Sequence, residues 1–338
     1  MDHAVDDNDS GYGESIANPH TTVAGSIYSI VHRFEYRHGR RYHGLNAGAY
    51  NFPNDELEQT RLDLVSYVVG RLIGDRLTVS ELPSTPASAI LDIGTGTGIW
   101  AIQAADAHPD ASVIGVDLSP IQPAWVPPNV RFVVDDVELD WPDDTYDFIH
   151  CRYMAASIRD WPTLIRRIFQ HLRPGGRLEL SESVNQVRVW PAGVQHDPVA
   201  SGAACPPLPA GHPLARMFAG LAEACERTGR TLNPAPSFTR WTRDAGFQSI
   251  REYKFALPVG SWHPDPRMNE MGSLMELSIT EGCDAFTADL FTNVLGWSTE
   301  DVKTLNEEVR AAATASSLDG DDCRPVFDYR VVTAEKPS

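Results

Sequence analysis

AILDIGTGTGIWAIQAADAHPDASVIGVD, residues Ala89 to Asp117, holds a strand, a glycine turn, a helix and a second strand that ends on an acid. The apolar run Ala89, Ile90, Leu91 reads as a buried parallel strand, and Asp92 closes it. Gly94, Gly96 and Gly98 then alternate, with Thr95 between the first two. A turn without Cβ atoms takes positive φ and lets a ligand reach the backbone, while the next helix presents its free N–H groups. The second strand, Ser112 to Val116, delivers Asp117. An acid about 20 residues past such a turn is placed to meet ribose hydroxyls. The stretch is one nucleoside-binding βαβ half.

The glycine spacing decides between ligands. A dinucleotide turn reads G-x-G-x-x-G and needs a small residue at position 99, where this chain has Ile99. No Lys-Ser or Lys-Thr follows the glycines, so a P-loop is excluded. An acid followed by G-x-G-x-G resembles motif I of the class I S-adenosylmethionine-dependent methyltransferases.

The whole chain sets wider bounds. Its 338 residues are 42% apolar, enough for a proper core with additions. Lys and Arg number 28 against 46 acids, giving a net charge of −18, the opposite of a nucleic-acid footprint. The start, MDHAVDDNDSGYGES, lacks the basic and apolar parts of a secretory signal, and no apolar run approaches the ~18 residues of a membrane span. These features predict a cytoplasmic protein, with the nucleus as the alternative, acting without membrane or nucleic acid. Cys151, Cys205, Cys225, Cys283 and Cys323 never form C-x-x-C and read as reduced thiols. None of the 11 histidines has metal-ligand spacing, and no metal is expected.

Along the chain, residues 1–25 read as a disordered acidic tail and 26–86 as an N-terminal helical cap. In the cap, Asp55 or Asn54 starts a helix, Glu58 completes a capping box, and Leu57, Leu64, Val65, Val68, Val69 and Leu72 line one face. Residues 87–257 continue the alternation. Strands are predicted at Val130–Val134, Tyr146–His150, Arg177–Glu182 and Gln248–Leu257. Helices are predicted from Asp160 to Leu172, Pro213 to Arg227 and Phe238 to Ala245, and the Pro- and Gly-rich residues 191–212 read as a long loop. Residues 258–322 form a helical insert, either a lid over a substrate or packing filler, before a last strand within 323–338. The fold class is α/β, a doubly wound, mostly parallel Rossmann-like sheet with a helical cap and a helical insert.

Beyond the turn, PIQPAWVPPN (Pro120–Asn129), YNFPNDELEQTRLD (Tyr50–Asp63), LNPAP (Leu232–Pro236) and FTNVLGWSTEDV (Phe291–Val302) closely resemble the fungal LaeA-like methyltransferases. The similarity covers most of residues 36–337. It implies S-adenosyl-L-methionine as cofactor, with Asp92, Gly94, Thr95, Gly96 and Gly98 shaping the pocket for its methionine part. It further implies that Asp117 binds the ribose and that Asp136, rather than Asp135, binds the adenine amino group. Val137 then offers its backbone N–H to the ring, and Leu118 flanks it. Cys151, at the end of the fourth strand, and Tyr42, Tyr36 and Asn54, from the cap, complete the expected surroundings.

Methyl transfer from a sulfonium is an in-line displacement of an already activated donor, so a base is optional for a carboxylate acceptor and useful for an alcohol or phenol. The candidate bases are His150 and Glu182, at the ends of neighbouring strands, with Arg152 as an anchor for an acidic substrate. Three readings follow. The first is an O- or N-methyltransferase for a small-molecule acceptor of fungal secondary metabolism, with a homodimer as one possible state. The second is a LaeA-like regulator working in the nucleus through a protein partner. The third is a cofactor-binding protein that has lost methyl transfer. The aromatic and Met-rich insert, with Trp262, Met275, Phe286 and Trp297, favours the first.

Overall fold

The structure is a computed structural model that describes residues 33–45, 48, 50–83, 85, 87–191, 199, 205–315 and 324–338. The expected acidic tail, most of the loop after Pro191 and Cys323 lie outside them. Two short strands, β1 (Glu35–Arg37) and β2 (Arg40–Tyr42), make a ribbon, and helix α1 (Glu56–Leu72) follows. Asp55 caps α1 by accepting the Glu58 N–H at 3.1 Å. The expected capping box is not formed, because the Glu58 carboxylate turns to Arg61 instead. Val65, Val68 and Val69 are buried as predicted, whereas Leu57, in the first turn, is 74% exposed.

The central sheet has seven strands in the order β5-β4-β3-β6-β7-β9-β8. They are β3 (Ala89–Ile93), β4 (Ser112–Asp117), β5 (Val130–Val134), β6 (Tyr146–Arg152), β7 (Leu172–Val189), β8 (Gln248–Pro258) and β9 (Pro325–Glu335). The first five pair in parallel, and β9 runs antiparallel to both of its neighbours. The doubly wound, mostly parallel reading holds. β7 is longer than predicted: it begins at Leu172, before the Pro-Gly-Gly turn, because Leu172 already pairs with Tyr146 and Gly175 donates its N–H to Lys336 O.

Side chains alternate across the strands, so each face builds its own core. Ile90, Val113 and Phe148 pack with Trp100 and Ala104 of helix α2 (Ile99–Ala107). On the other face, Ile149, Cys151 and Leu180 meet Leu164, Ile165 and Ile168 of α3 (Trp161–His171), a helix capped by Asp160. Beyond them come α4 (Pro213–Arg227) and α5 (Phe238–Asp244). Between β8 and β9 the insert supplies α6 (Pro266–Asp289), a π turn at Leu290–Val294 and α7 (Thr299–Ala315). With α1 and α4 these helices enclose the largest core cluster, which stands over the carboxyl ends of β6 and β7. No described helix is long and apolar enough to cross a membrane.

The glycine turn is held by sterics. Gly94, Gly96 and Gly98 all have positive φ, at 67°, 57° and 82°. At Gly98, which caps α2, a Cβ would also sit inside the Phe132 ring. Gly98→Ala is therefore expected to lose about 2 kcal/mol or more from combined backbone strain and overpacking. A fall in the denaturant midpoint relative to wild type measures it.

Candidate functional site

Below the glycine turn lies a buried polar chain. Asp92, 3% exposed, accepts from Thr95 Oγ1 at 2.6 Å through one oxygen and lies 2.7 Å from His150 Nδ1 through the other. The His150 ring stacks on Trp100 at 3.8 Å with planes 9° apart. His150 therefore lies under the sheet's α2 face, 1% exposed, and on neither cavity wall described below. This corrects its assignment as a base. Its register opposite Asp92 makes it a positioning residue for the turn.

Above the turn is a cleft of about 1120 Å³ counted out to its open mouth. Gly94, Thr95, Gly96, Asp117, Leu118, Asp136 and Val137 all line it, as the sequence placed them. Asp117 accepts the Gly96 N–H through one oxygen and the Ser119 N–H through the other, each at 2.9 Å. Burial pushes its carboxyl up, against these two bonds that favour the charge. Each oxygen keeps a second lone pair for a ligand hydroxyl. Asp135 lines the cleft too and accepts the Asp136 N–H at 2.8 Å, while Asp136 accepts the Glu138 N–H at 2.9 Å. Asp92 and Gly98 stand behind this wall, supporting it without lining it.

Two expected residues are elsewhere. The Cys151 side chain alternates away from the ligand side into the α3 core, 2% exposed. Tyr42 is fully buried beneath the Arg37 guanidinium, 4.3 Å from the ring centroid, and Arg37 is tied to Asp289 of α6 at 2.8 Å. Tyr36 is 73% exposed. The cap reaches the cleft through other residues: Tyr50, Asn54, Leu62, Val65 and Ser66, of which only Asn54 was expected there. Around the cleft, these bonds are among those that fasten the cap to the sheet domain. Asn54 Nδ2 donates to Ser119 Oγ at 3.2 Å, Thr97 Oγ1 to Asp63 at 2.5 Å, and Arg152 Nη2 to Ser66 Oγ at 2.8 Å.

A second cavity, about 840 Å³ on the same measure, adjoins the first and shares Tyr50, Leu62, Val65 and Tyr153 with it. Its walls are mostly apolar and come from α1, α4, α6 and the end of β7. Met275 lines it, whereas Trp297 packs edge-on against Phe291 in the core behind. Glu182 lies at its base, 1% exposed, accepting the Ala155 N–H at 2.7 Å and the Ser183 N–H at 2.9 Å. Burial pushes this carboxyl up to about 8. Arg152, expected to anchor an acidic substrate, lines the first cleft and not this cavity. Missed by the sequence reading is Arg61, which grips Glu58 with two bonds of 2.6 and 2.9 Å at the cavity's edge.

The sequence matches the family described as Methyltransferase domain over residues 66–252. It is 53% identical over 314 residues to Methyltransferase pytC of Aspergillus terreus, covering 92% of this chain and 91% of that protein. The chain belongs to the LaeA-like S-adenosylmethionine-dependent methyltransferases. Similarity to the Secondary metabolism regulator laeA of Monascus pilosus is 34% over 319 residues, with 92% and 82% of the two chains covered. The Protein-methionine methyltransferase laeA of Emericella nidulans is 33% identical over 305 residues, with 88% and 76% covered.

The cleft fits the cofactor. A left-handed turn open to the backbone, a part-buried acid with free lone pairs and two further acids beyond β5 match its amino acid, ribose and base in order. In this methyltransferase Asp117 would hold the ribose, Asp136 and Val137 the adenine, and the turn with Arg152 the methionine part. The bound cofactor supplies a methyl group on a sulfonium. Among the described residues no cluster of His, Cys, Asp or Glu could hold a metal ion.

Asp117→Ala is expected to weaken cofactor binding by about 1–3 kcal/mol, since the ribose hydroxyls lose their acceptor. Calorimetric titration measures it, and cofactor should raise the thermal midpoint of the wild type more than that of the variant. Glu182 makes a separate prediction. A carboxyl raised from 4.5 to about 8 holds its proton in the folded state, so its stabilising contribution is lost as pH rises through that window. The wild-type midpoint should therefore fall relative to Glu182→Gln between those pH values.

Proposed function

We propose that this methyltransferase acts on an oxygen or nitrogen of a small-molecule acceptor in fungal secondary metabolism, working in the cytoplasm without a protein partner. The observation that carries the reading is the second cavity. It is largely apolar and joined to the cofactor cleft through a shared wall. A largely apolar pocket with a few convergent polar groups suits a small molecule rather than a protein surface. The net charge of −18 argues against a nucleic-acid substrate. The 53% identity to a protein named simply as a methyltransferase, against 33–34% to those named as laeA, supports the same side.

In this reading the chain contributes position. The acceptor rests between α6 and the end of β7, its reacting atom turned toward the shared wall of Tyr50 and Tyr153. Helix α1 lines both cavities through Leu62 and Val65, so the two reactants would meet across one wall as an intramolecular pair.

The test is a labelled-methyl assay with the purified chain against the small-molecule extract of a host that lacks this gene. Label should enter the small-molecule fraction with turnover and without added protein. Label found only in protein, or transfer that needs a second protein, would favour the regulatory reading instead.

A further inference from the structure

The charge around the second cavity narrows the acceptor. Arg61 and Glu182 are the charged residues among those that line it. Arg61 is already neutralised: both of its bonds of 2.6 and 2.9 Å go to Glu58, its third reaches Ser278 Oγ at 3.2 Å, and its face covers the Phe286 ring at 4.8 Å. It is therefore no free anchor for an acid. Among the described residues Glu182 has no cationic partner, and its two oxygens accept from the backbone N–H groups of Ala155 and Ser183. A carboxylate acceptor would find no free cation on this lining to neutralise it. An amine would take up the Glu182 proton and be held as ammonium, its lone pair blocked.

A neutral hydroxyl suits the site on both counts. Its oxygen is an acceptor for methyl and its proton has a place to go. The walls give the shape: Phe52 and Phe286 meet edge to face at 5.9 Å, and Phe218 and Phe327 do so at 5.2 Å. Flat aromatic surface stacks or packs edge-on against such rings. Building on the small-molecule reading, we propose that the acceptor is a neutral aromatic hydroxyl compound and that Glu182 takes its proton. As the acceptor oxygen bonds to the methyl carbon, the bond from that carbon to sulfur breaks and its electron pair stays on sulfur. The hydroxyl proton passes to a Glu182 oxygen and later to water.

The groups facing Glu182 leave it that role. Tyr50 before α1, Cys151 on β6, Tyr153 after it and Tyr329 on β9 all feel its charge, and burial pushes each of them up, so they stay neutral. From α6 the cavity receives Ser278, and from α4 only Phe218 and Leu221. A carboxyl near 8 is well matched to a phenol near 10, because a base works best when its affinity for the proton lies close to the operating pH.

The experiment takes the labelled product from the host extract, treats it with mild alkali and reads the carbon-13 shift of the transferred methyl, which separates an aryl O-methyl from an N-methyl group. An aryl methyl ether keeps its label and supports the proposal; a methyl ester, which releases labelled methanol, or an N-methyl product overturns it. Label confined to protein overturns the small-molecule reading itself, and this proposal with it. On the same acceptor, Glu182→Gln should lower kcat about 100-fold or more while cofactor affinity stays within about twofold. Wild-type kcat should rise with pH to a plateau above about 8, a step absent from the Gln variant. Glu182→Asp, which keeps a carboxylate, should retain more activity than Glu182→Gln. Equal rates for wild type and Glu182→Gln would overturn the assignment, and the alkali result stands even if a variant fails to fold.

Discussion

The buried contact between Asp92 and His150 fixes the frame on which both cavities are built. It joins β3 to β6 side by side, and through Thr95 it reaches up to the glycine turn. Breaking either partner would strand the other in a site without water, where an unpaired polar group costs about 1–3 kcal/mol and a charge more. The stack of His150 on Trp100 extends the same frame into α2. The backbone that faces the cofactor is thus positioned from below by polar groups that never touch it.

The second constraint comes from the cap. Helix α1 is not an appendage: Val65 and Val68 sit in the largest core cluster, and its polar residues clasp the turn, β6 and α6 in turn. Burying the Glu58–Arg61 pair contributes little net stability by itself, because desolvation offsets most of the attraction. What the pair does is hold a cationic side chain at the cavity edge without leaving its charge free. That leaves Glu182 to set the electrostatic character of the acceptor space.

The cofactor half was legible because its determinants are local. Strand, glycines and acid lie within Ala89–Asp117, where period and spacing speak directly. The second cavity is assembled from Tyr50, Glu182, Phe218 and Met275, residues from four separate segments that only packing brings together. His150 was misread for a narrower reason. The rule that ligands sit at strand ends gives the height of a residue in the sheet but not its face. Alternation with Phe148 sends His150 toward α2, while Arg152, at the last position of the strand, reaches the cleft. A signal for Arg61 was present in the sequence, since Glu58 and Arg61 are spaced to pair beside the apolar stripe of Val65 and Val68.

The insert between β8 and β9 has one more consequence. Met275, Ile279 and Phe286 of α6 shape the second cavity, yet no residue of α6 borders the cofactor cleft. Under the proposed function, sequence drift in that helix would remodel what the enzyme accepts without disturbing the donor it uses. The two strands that anchor the helix, β8 and β9, pair with each other over most of their length, so such change would leave the sheet as it is.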